Sequence, residues 1–352
     1  MDYKNEIEEL VNLIIKEGAS DLHLSIGRHP IIRVAGNLIP LMKKPVLSDG
    51  DMKGFMNVFL TAANVSLLQT ARDVDFSYSL THARFRGNVF FHQGVISIAL
   101  RLIPKVIRTL SELNLPPILE TFTRKPQGFF LCVGPIGQGK TTTLATLIEV
   151  INQTRTEHIL TIEDPIEYMF ESKKSVIDQR EVRMDTPDFS NALIAMFRED
   201  VDVAMVGEMR DNNTISTAVT AAETGHLIFS TLHTNNAAQS VDRIIDSFPS
   251  DQQDQIRIQL AGSLSGIFSQ RLVPRISGGL IPAYELLISN TAVSNLIRER
   301  RTHELNSVIE TSSQEGMIDM NRSLAELVRA GEITVETAYM NSLNPKTLER
   351  MI

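Results

Sequence analysis

Hydrophobic positions change their period along the chain, and the changes mark its parts. Ile7, Leu10, Val11 and Ile14 fall at helical spacing, with Gly18 as a stop. The runs 21–25 and 30–34 predict short strands, followed by a turn at Gly36-Asn37. Residues 49–70 predict a helix, and 76–78, 84–90 and 95–102 predict three more strands. Helices mixed with short strands and hairpin turns suggest an α+β domain with an antiparallel sheet. Between Ile103 and Gly128 stand Pro104, Pro116, Pro117 and Pro126, which predict a linker. Beyond it, 129–133 is a fully apolar strand, followed by a glycine-rich loop and a helix over 141–153. Residues 158–162, 203–206 and 227–230 are further apolar strands with helical stretches between them. That alternation predicts a parallel sheet covered on both faces. After Thr291 the pattern is helical, most clearly over 292–300 and 320–330. The expected class is α/β: an N-terminal α+β domain (1–102), a linker (103–127), a parallel-sheet core (128–290) and a helical C-terminal part (291–352).

Composition narrows the class. Apolar residues make up 43% of the 352, enough for real cores, so wholesale disorder is excluded. A net charge of −8 argues against a chain whose main task is gripping nucleic acid. The single cysteine, Cys132, excludes a disulfide framework and a cysteine-built zinc site. The start Met1–Glu6 has no signal-peptide pattern, and no apolar run reaches the ~18–20 residues of a membrane span. A soluble protein of a reducing compartment is expected.

The chemistry concentrates in the second half. Gly134-Pro135-Ile136-Gly137-Gln138-Gly139-Lys140-Thr141 fits the phosphate-binding loop G-x-x-x-x-G-K-[ST], with Thr142 following it. Its glycines let backbone N–H groups point at a phosphate, and the helix that follows adds its positive dipole end. Lys140 can reach the outer phosphates of a nucleotide, and the Thr141 hydroxyl can take a Mg²⁺ position. Glu208 ends an apolar strand, where ligands bind in parallel sheets, and is the expected metal-side carboxylate acting through water. Glu163 ends a second strand and could polarise an attacking water. A helix cap or a salt bridge is the competing role for either acid. His233, in the loop after a third strand, can sense a terminal phosphate, although a structural histidine is the plainer reading for it and for His226. Arg84 and Arg86 alternate on one predicted strand and Arg101 lies on the next; pairs so spaced can clamp phosphate oxygens, or be ordinary solvated positions.

Several motifs occur together in order: the phosphate loop, Thr161–Glu167, Asp178–Val182, Gly207–Asp211, Ala222–His226 and Thr231–Thr234. In combination they resemble the secretion ATPase superfamily, and within it the type IV pilus retraction ATPases of PilT type. The start Gly18–Leu24 and the segment Ala292–Glu299 extend the resemblance over nearly the whole chain. It implies an ATP- and Mg²⁺-dependent hexameric motor that pulls pilin back through an inner-membrane platform protein. The motor would work at the cytoplasmic face of that membrane, attached through its partners, without direct nucleic-acid binding. Each ATP would sit between the two domains, whose angle would change about the 103–128 stretch. The first domain would be PAS-like and the second RecA-like. Lys140 and Thr141 would be the Walker A pair, Glu163 the catalytic glutamate and Glu208 the Walker B acid. His226 and His233 would form the histidine box, and Arg84, Arg86 and Arg101 would reach the nucleotide. Ile136 and Gln138 stand where the family usually has threonine and serine. The C-terminal run Gly331–Thr334 and the end Leu348–Ile352 are closer to the accessory PilU type and Glu171–Lys174 to the PilT type, so the paralogue is open. One cysteine and the short length count against a pilus-assembly ATPase, and the acidic balance against a DNA-translocating motor. A nucleotide-gated binding protein would not need both Glu163 and Glu208.

Overall fold

The computed structural model describes residues 2–34, 36–80, 83–104 and 106–352. Residue 105, in the stretch expected to link the domains, lies outside them. The chain divides into two compact units, Met1–Lys105 and Val106–Ile352.

In the first unit the order is α1 (Tyr3–Lys16), β1 (Ala19–Ser25), β2 (Ile31–Val34), β3 (Asn37–Pro40), α2 (Asp49–Phe59), α3 (Ala62–Ala71), β4 (Asp73–Leu80), β5 (Ala83–His92) and β6 (Val95–Ile103). The strands form an antiparallel sheet in the order β3-β2-β1-β6-β5-β4, as the pattern of short strands predicts. Alternation sets its faces. Ala83, Phe85, Gly87 and Val89 of β5 are buried, while Arg84, Arg86 and Asn88 between them point the other way. The helices cover the apolar face, where α1 contributes Ile7, Leu10, Val11 and Ile14. One helix was expected over 49–70, but two form. Leu60 is extended (ψ 140°), and the Thr61 side chain caps α3 by accepting from Asn64 N–H.

The second unit contains α4 (Glu120–Thr123), β7 (Gly128–Val133), α5 (Lys140–Thr154), β8 (His158–Glu163), β9 (Val176–Glu181), α6 (Phe189–Met196), β10 (Val203–Val206), α7 (Asn212–Glu223), β11 (Leu227–Leu232), α8 (Ala237–Asp246) and α9 (Gln253–Ser263). After these come β12 (Leu264–Pro274), β13 (Leu280–Ile288), α10 (Thr291–Arg298), α11 (Leu305–Thr311), α12 (Met320–Arg329), α13 (Val335–Asn341) and α14 (Pro345–Glu349). Its sheet runs β13-β12-β7-β11-β10-β8-β9. All neighbours are parallel except β13, which pairs antiparallel with β12. The expected all-parallel sheet is thus mixed at one edge, because β12 and β13 are joined directly by a short glycine-bearing turn rather than a crossover helix.

Each central strand feeds two cores. Phe129, Leu131 and Val133 face the side of α6 to α9, and Phe130 and Cys132 face α5, which lays down Leu144, Leu147, Ile148 and Ile151. This double burial is why the strands read as unbroken apolar runs. Much of the proline-bearing stretch also packs here: Leu110, Leu115, Leu119 and Phe122 are buried in the α5-side core. The last helices pack on the opposite edge, where Met320, Leu324, Ile333, Ala338 and Leu348 meet Val273 and Ile281. Cys132 is wholly buried, and burial pushes its thiol up to about 12. Among the described residues no helix is long and apolar enough to cross a membrane.

Phe130 is fully buried, with ring centroids 4.6 Å from Phe122 and 5.6 Å from Phe229. Phe130→Ala is expected to destabilise the second unit by about 3–5 kcal/mol, measured by denaturant unfolding.

Candidate nucleotide-binding site

The C-terminal ends of β7, β8, β10 and β11 open on one cavity of about 420 Å³. Residues 136–142 line it together with Glu163, Asp164, Glu167, Glu208, Arg210, Thr231 and His233. The chain leaves β7 through Gly134, whose φ of 147° and close approach to the Gln270 carbonyl, 2.4 Å from where a Cβ would stand, exclude any side chain. Gly139, at φ 79°, turns the loop into α5, whose first-turn N–H groups face outward for an anion.

Lys140 is buried and its ammonium turns back on the loop. It donates to the carbonyls of Gly134 (2.8 Å) and Pro135 (2.9 Å) and lies 3.2 Å from His233 Nδ1. Burial lowers its affinity for the proton. His233 is also held below its usual value, by burial and by the Lys140 charge, against the pull of Glu208. Nδ1 therefore meets the ammonium as an acceptor. His233 Nε2 stands 3.9 Å from Glu208 Oε2, and Glu208 Oε1 is paired with Arg210 at 2.5 Å.

Glu163, the last residue of β8, is 3% exposed. Thr161 Oγ1 donates to it at 2.7 Å, Glu167 N–H at 3.2 Å and Gln179 Nε2 at 3.3 Å. Burial still dominates these bonds and pushes its carboxyl up to about 7. Thr142 Oγ1 is bonded to the Tyr168 hydroxyl at 2.8 Å. A second cavity, about 390 Å³, shares Gly139 and Thr142 with the first and is walled by Leu113, Leu115, Gln270 and Leu272.

The cavity thus brings together the loop residues 136–142, Glu163, Glu208 and His233. His226 lies elsewhere: its Nδ1 is 3.1 Å from the Ala221 carbonyl and its ring meets Phe197 edge-on. Arg84, Arg86 and Arg101 belong to the first unit, on the face away from its helices. Arg86 stands opposite Arg101 in the ladder, and Arg101 opposite Asp21. Arg101 Nε donates to Asp21 at 2.8 Å, and Arg33 adds a 3.6 Å contact. Although buried, Asp21 is held below the usual carboxylate range by the hydrogen bonds of Ser20 and Arg101.

Sequence reasoning gave no role to Arg210, Glu167, Tyr168 or Gln179. Arg210 was within reach, since it lies two residues beyond a strand-end acid. Tyr168 reaches the site from a loop, and Gln179, inside the Asp178–Val182 motif but given no role of its own, reaches it from an edge strand. No group of three or more His, Cys, Asp or Glu able to hold a metal occurs among the described residues.

Residues 3–278 match the model of the type II/IV secretion system protein family. The chain belongs to that family. Within it, the type IV pilus retraction ATPase PilT of Pseudomonas aeruginosa is 42% identical, over 97% of this chain and 99% of its own. The type IV pilus ATPase PilU of the same organism is 36% identical, over 99% and 91%. A crystal structure of the pilus retraction motor PilT with bound ADP shares the fold at a TM-score of 0.91. It is 44% identical and is covered over 97% of this chain and 98% of its own. The α/β class read from the sequence is the class of this secretion ATPase.

Two buried carboxyls carry raised values, Glu163 here and Glu285, which accepts from Ala237 N–H; burial pushes each to about 7. Between about pH 4.5 and about 7 the folded chain keeps protons that the unfolded chain gives up, so these groups make stability fall as pH rises through that window. Urea unfolding at about pH 5 and about pH 8 should show a smaller fall for Glu163→Gln than for the parent chain.

Proposed function

We propose that this chain is an ATP-hydrolysing motor that drives type IV pilus retraction. The observation that carries the proposal is the cavity itself: a phosphate loop with a lysine, facing two strand-end glutamates and a neutral histidine, in a chain similar to PilT over almost its full length. The site suits a polyphosphate better than a single anion. Lys140 and the α5 N-terminus would take the outer phosphates, and the second cavity is large enough for a base and sugar. On arrival of the nucleotide, Lys140 would exchange the Gly134 and Pro135 carbonyls for phosphate oxygens.

Glu163 is proposed as the group that orients and deprotonates the attacking water. A carboxyl near 7 sits close to working pH, where a general base is most effective. The hydrogen bonds from Thr161, Gln179 and Glu167 fix its direction. Thr141 and Glu208, both lining the cavity, suit Mg²⁺, which keeps much of its water and binds through phosphates and one or two side chains. Thr141 and, through water, Glu208 would hold it. When bound, the ion would neutralise charge on the transferring group. Arg210 pairs with Glu208 and would keep its carboxylate turned into the cavity. His233, neutral beside Lys140, would report the terminal phosphate by a hydrogen bond. The proposed role of Arg84, Arg86 and Arg101 as further counter-charges rests on the family resemblance and on their shared face. A homohexamer working at the inner membrane through a platform protein is proposed on the same ground. The greater identity to PilT than to PilU favours a primary retraction motor.

Lys140→Ala should weaken nucleotide binding in a titration with a fluorescent ATP analogue. Glu163→Gln should still bind while phosphate release falls by roughly 10²–10⁴-fold; hydrolysis at the parental rate would remove Glu163 from its role. In the native host, deletion should leave abundant pili that no longer retract under live imaging. Retained twitching would point to the accessory role, and loss of pili to an assembly motor.

A further inference from the structure

The ladder between β7 and β12 ends at the pair Val133–Ser269, because the chain leaves β7 there to form the phosphate loop. β12 runs on to Pro274. Its residues past Ser269 have β13 on one side and the phosphate loop on the other. Leu272 pairs in register with Pro282 of β13, which has no N–H to give, and its own N–H is directed to the loop side. There the Gln138 side-chain oxygen accepts it at 2.7 Å. Two residues earlier, the Gln270 carbonyl faces the loop so closely that only glycine fits at 134. On the loop side, then, Gln138 does for Leu272 what a longer β7 would have done: a side-chain amide continues the sheet where the backbone has turned away.

We infer that Gln138 is a positioning residue that straps the phosphate loop to β12 before any nucleotide arrives. The inference rests on reading this loop as the ATP site. The strap spans the loop at its apex. Gln138 lies between Gly137 and Gly139, two residues of positive φ that would otherwise leave the backbone at its most pliable. The Leu272 side chain stands 3.3 Å from where a Gly139 Cβ would be, so the strand that receives the strap also backs the loop's last turn. On the same face of β12, Gln270 accepts from the Thr143 hydroxyl at 2.6 Å, tying the first turn of α5 to the same strand. β12 is therefore the anvil on which the loop is shaped, and Gln138 is the contact made by the loop itself. A loop already held in its binding shape loses less freedom when it closes on phosphates, so the strap acts on affinity rather than on the chemical step.

The test uses the full-length protein and three substitutions. Gln138→Met keeps length and bulk but has no acceptor; Gln138→Ser is too short to reach Leu272; Gln138→Glu keeps the acceptor. Hydrogen exchange of the nucleotide-free protein reads the Leu272 amide directly. In Gln138→Met and Gln138→Ser that amide is expected to exchange roughly fivefold faster, the ratio that one ordinary hydrogen bond is worth, and in Gln138→Glu to stay protected. In steady-state turnover, Gln138→Met should raise the KM for ATP by a similar factor while kcat changes less than about twofold. Unchanged Leu272 exchange in Gln138→Met overturns the strap, and a fall in kcat with KM unchanged overturns its role in binding. The exchange measurement needs no nucleotide, so it decides the strap even if no variant, nor the parent, hydrolyses ATP.

Discussion

A buried ammonium must be met by lone pairs, and Lys140 finds three, on the Gly134 and Pro135 carbonyls and on His233 Nδ1. Much of the site follows from that requirement. Two consecutive carbonyls can face inward only if the loop curls tightly, which demands positive φ at Gly134, Gly137 and Gly139. The histidine can approach a cation only as a neutral ring, and burial together with the charge of Lys140 keeps this residue, just past the end of β11, neutral. That ring reaches toward Glu208, which leans on Arg210. Loop, histidine and acid are thereby linked through one cation, and an anion competing for that cation is felt at each of them.

The sheet supplies the distances. Side chains of β7 are wedged into two cores at once, so the strand ends cannot shift relative to one another without opening a cavity on one face or the other. Glu163 exploits that rigidity in reverse. It is a carboxyl placed where burial resists its charge and three donors partly restore it, which leaves it near neutrality rather than fixed in either form.

The apolar strands and the phosphate loop were legible because their patterns are physically redundant. A run such as Phe129–Val133 has no polar residue to misplace, and the loop motif carries its own glycine requirement. What stayed hidden depends on partners distant in sequence. β9 is a polar edge strand, with an alternation too weak to announce it. β12 and β13 carry Gly266, Pro274 and Pro282, residues that read as breaks. The break at Leu60 between α2 and α3 rests on a single capping threonine inside an otherwise helical run. In the site, Glu163 and Glu208 could be found as strand ends, but Gln179 and Tyr168 matter only once β9 and the loop before it lie against β8. For Gln138 the sequence offered only an unusual letter in a familiar motif. Its meaning appeared when Leu272, far along the chain, was found to be its donor.

Cys132 sits in the strand that leads into the phosphate loop, sealed from water, with its thiol held at about 12. A thiol that neither ionises nor meets solvent is inert toward maleimides and other alkylating reagents while the protein is folded. The native chain is therefore a silent background for labelling chemistry. A cysteine introduced on either unit can carry a fluorophore or spin label without first removing the residue that nature placed there, and distance changes during a catalytic cycle can be read in a protein whose core has not been altered.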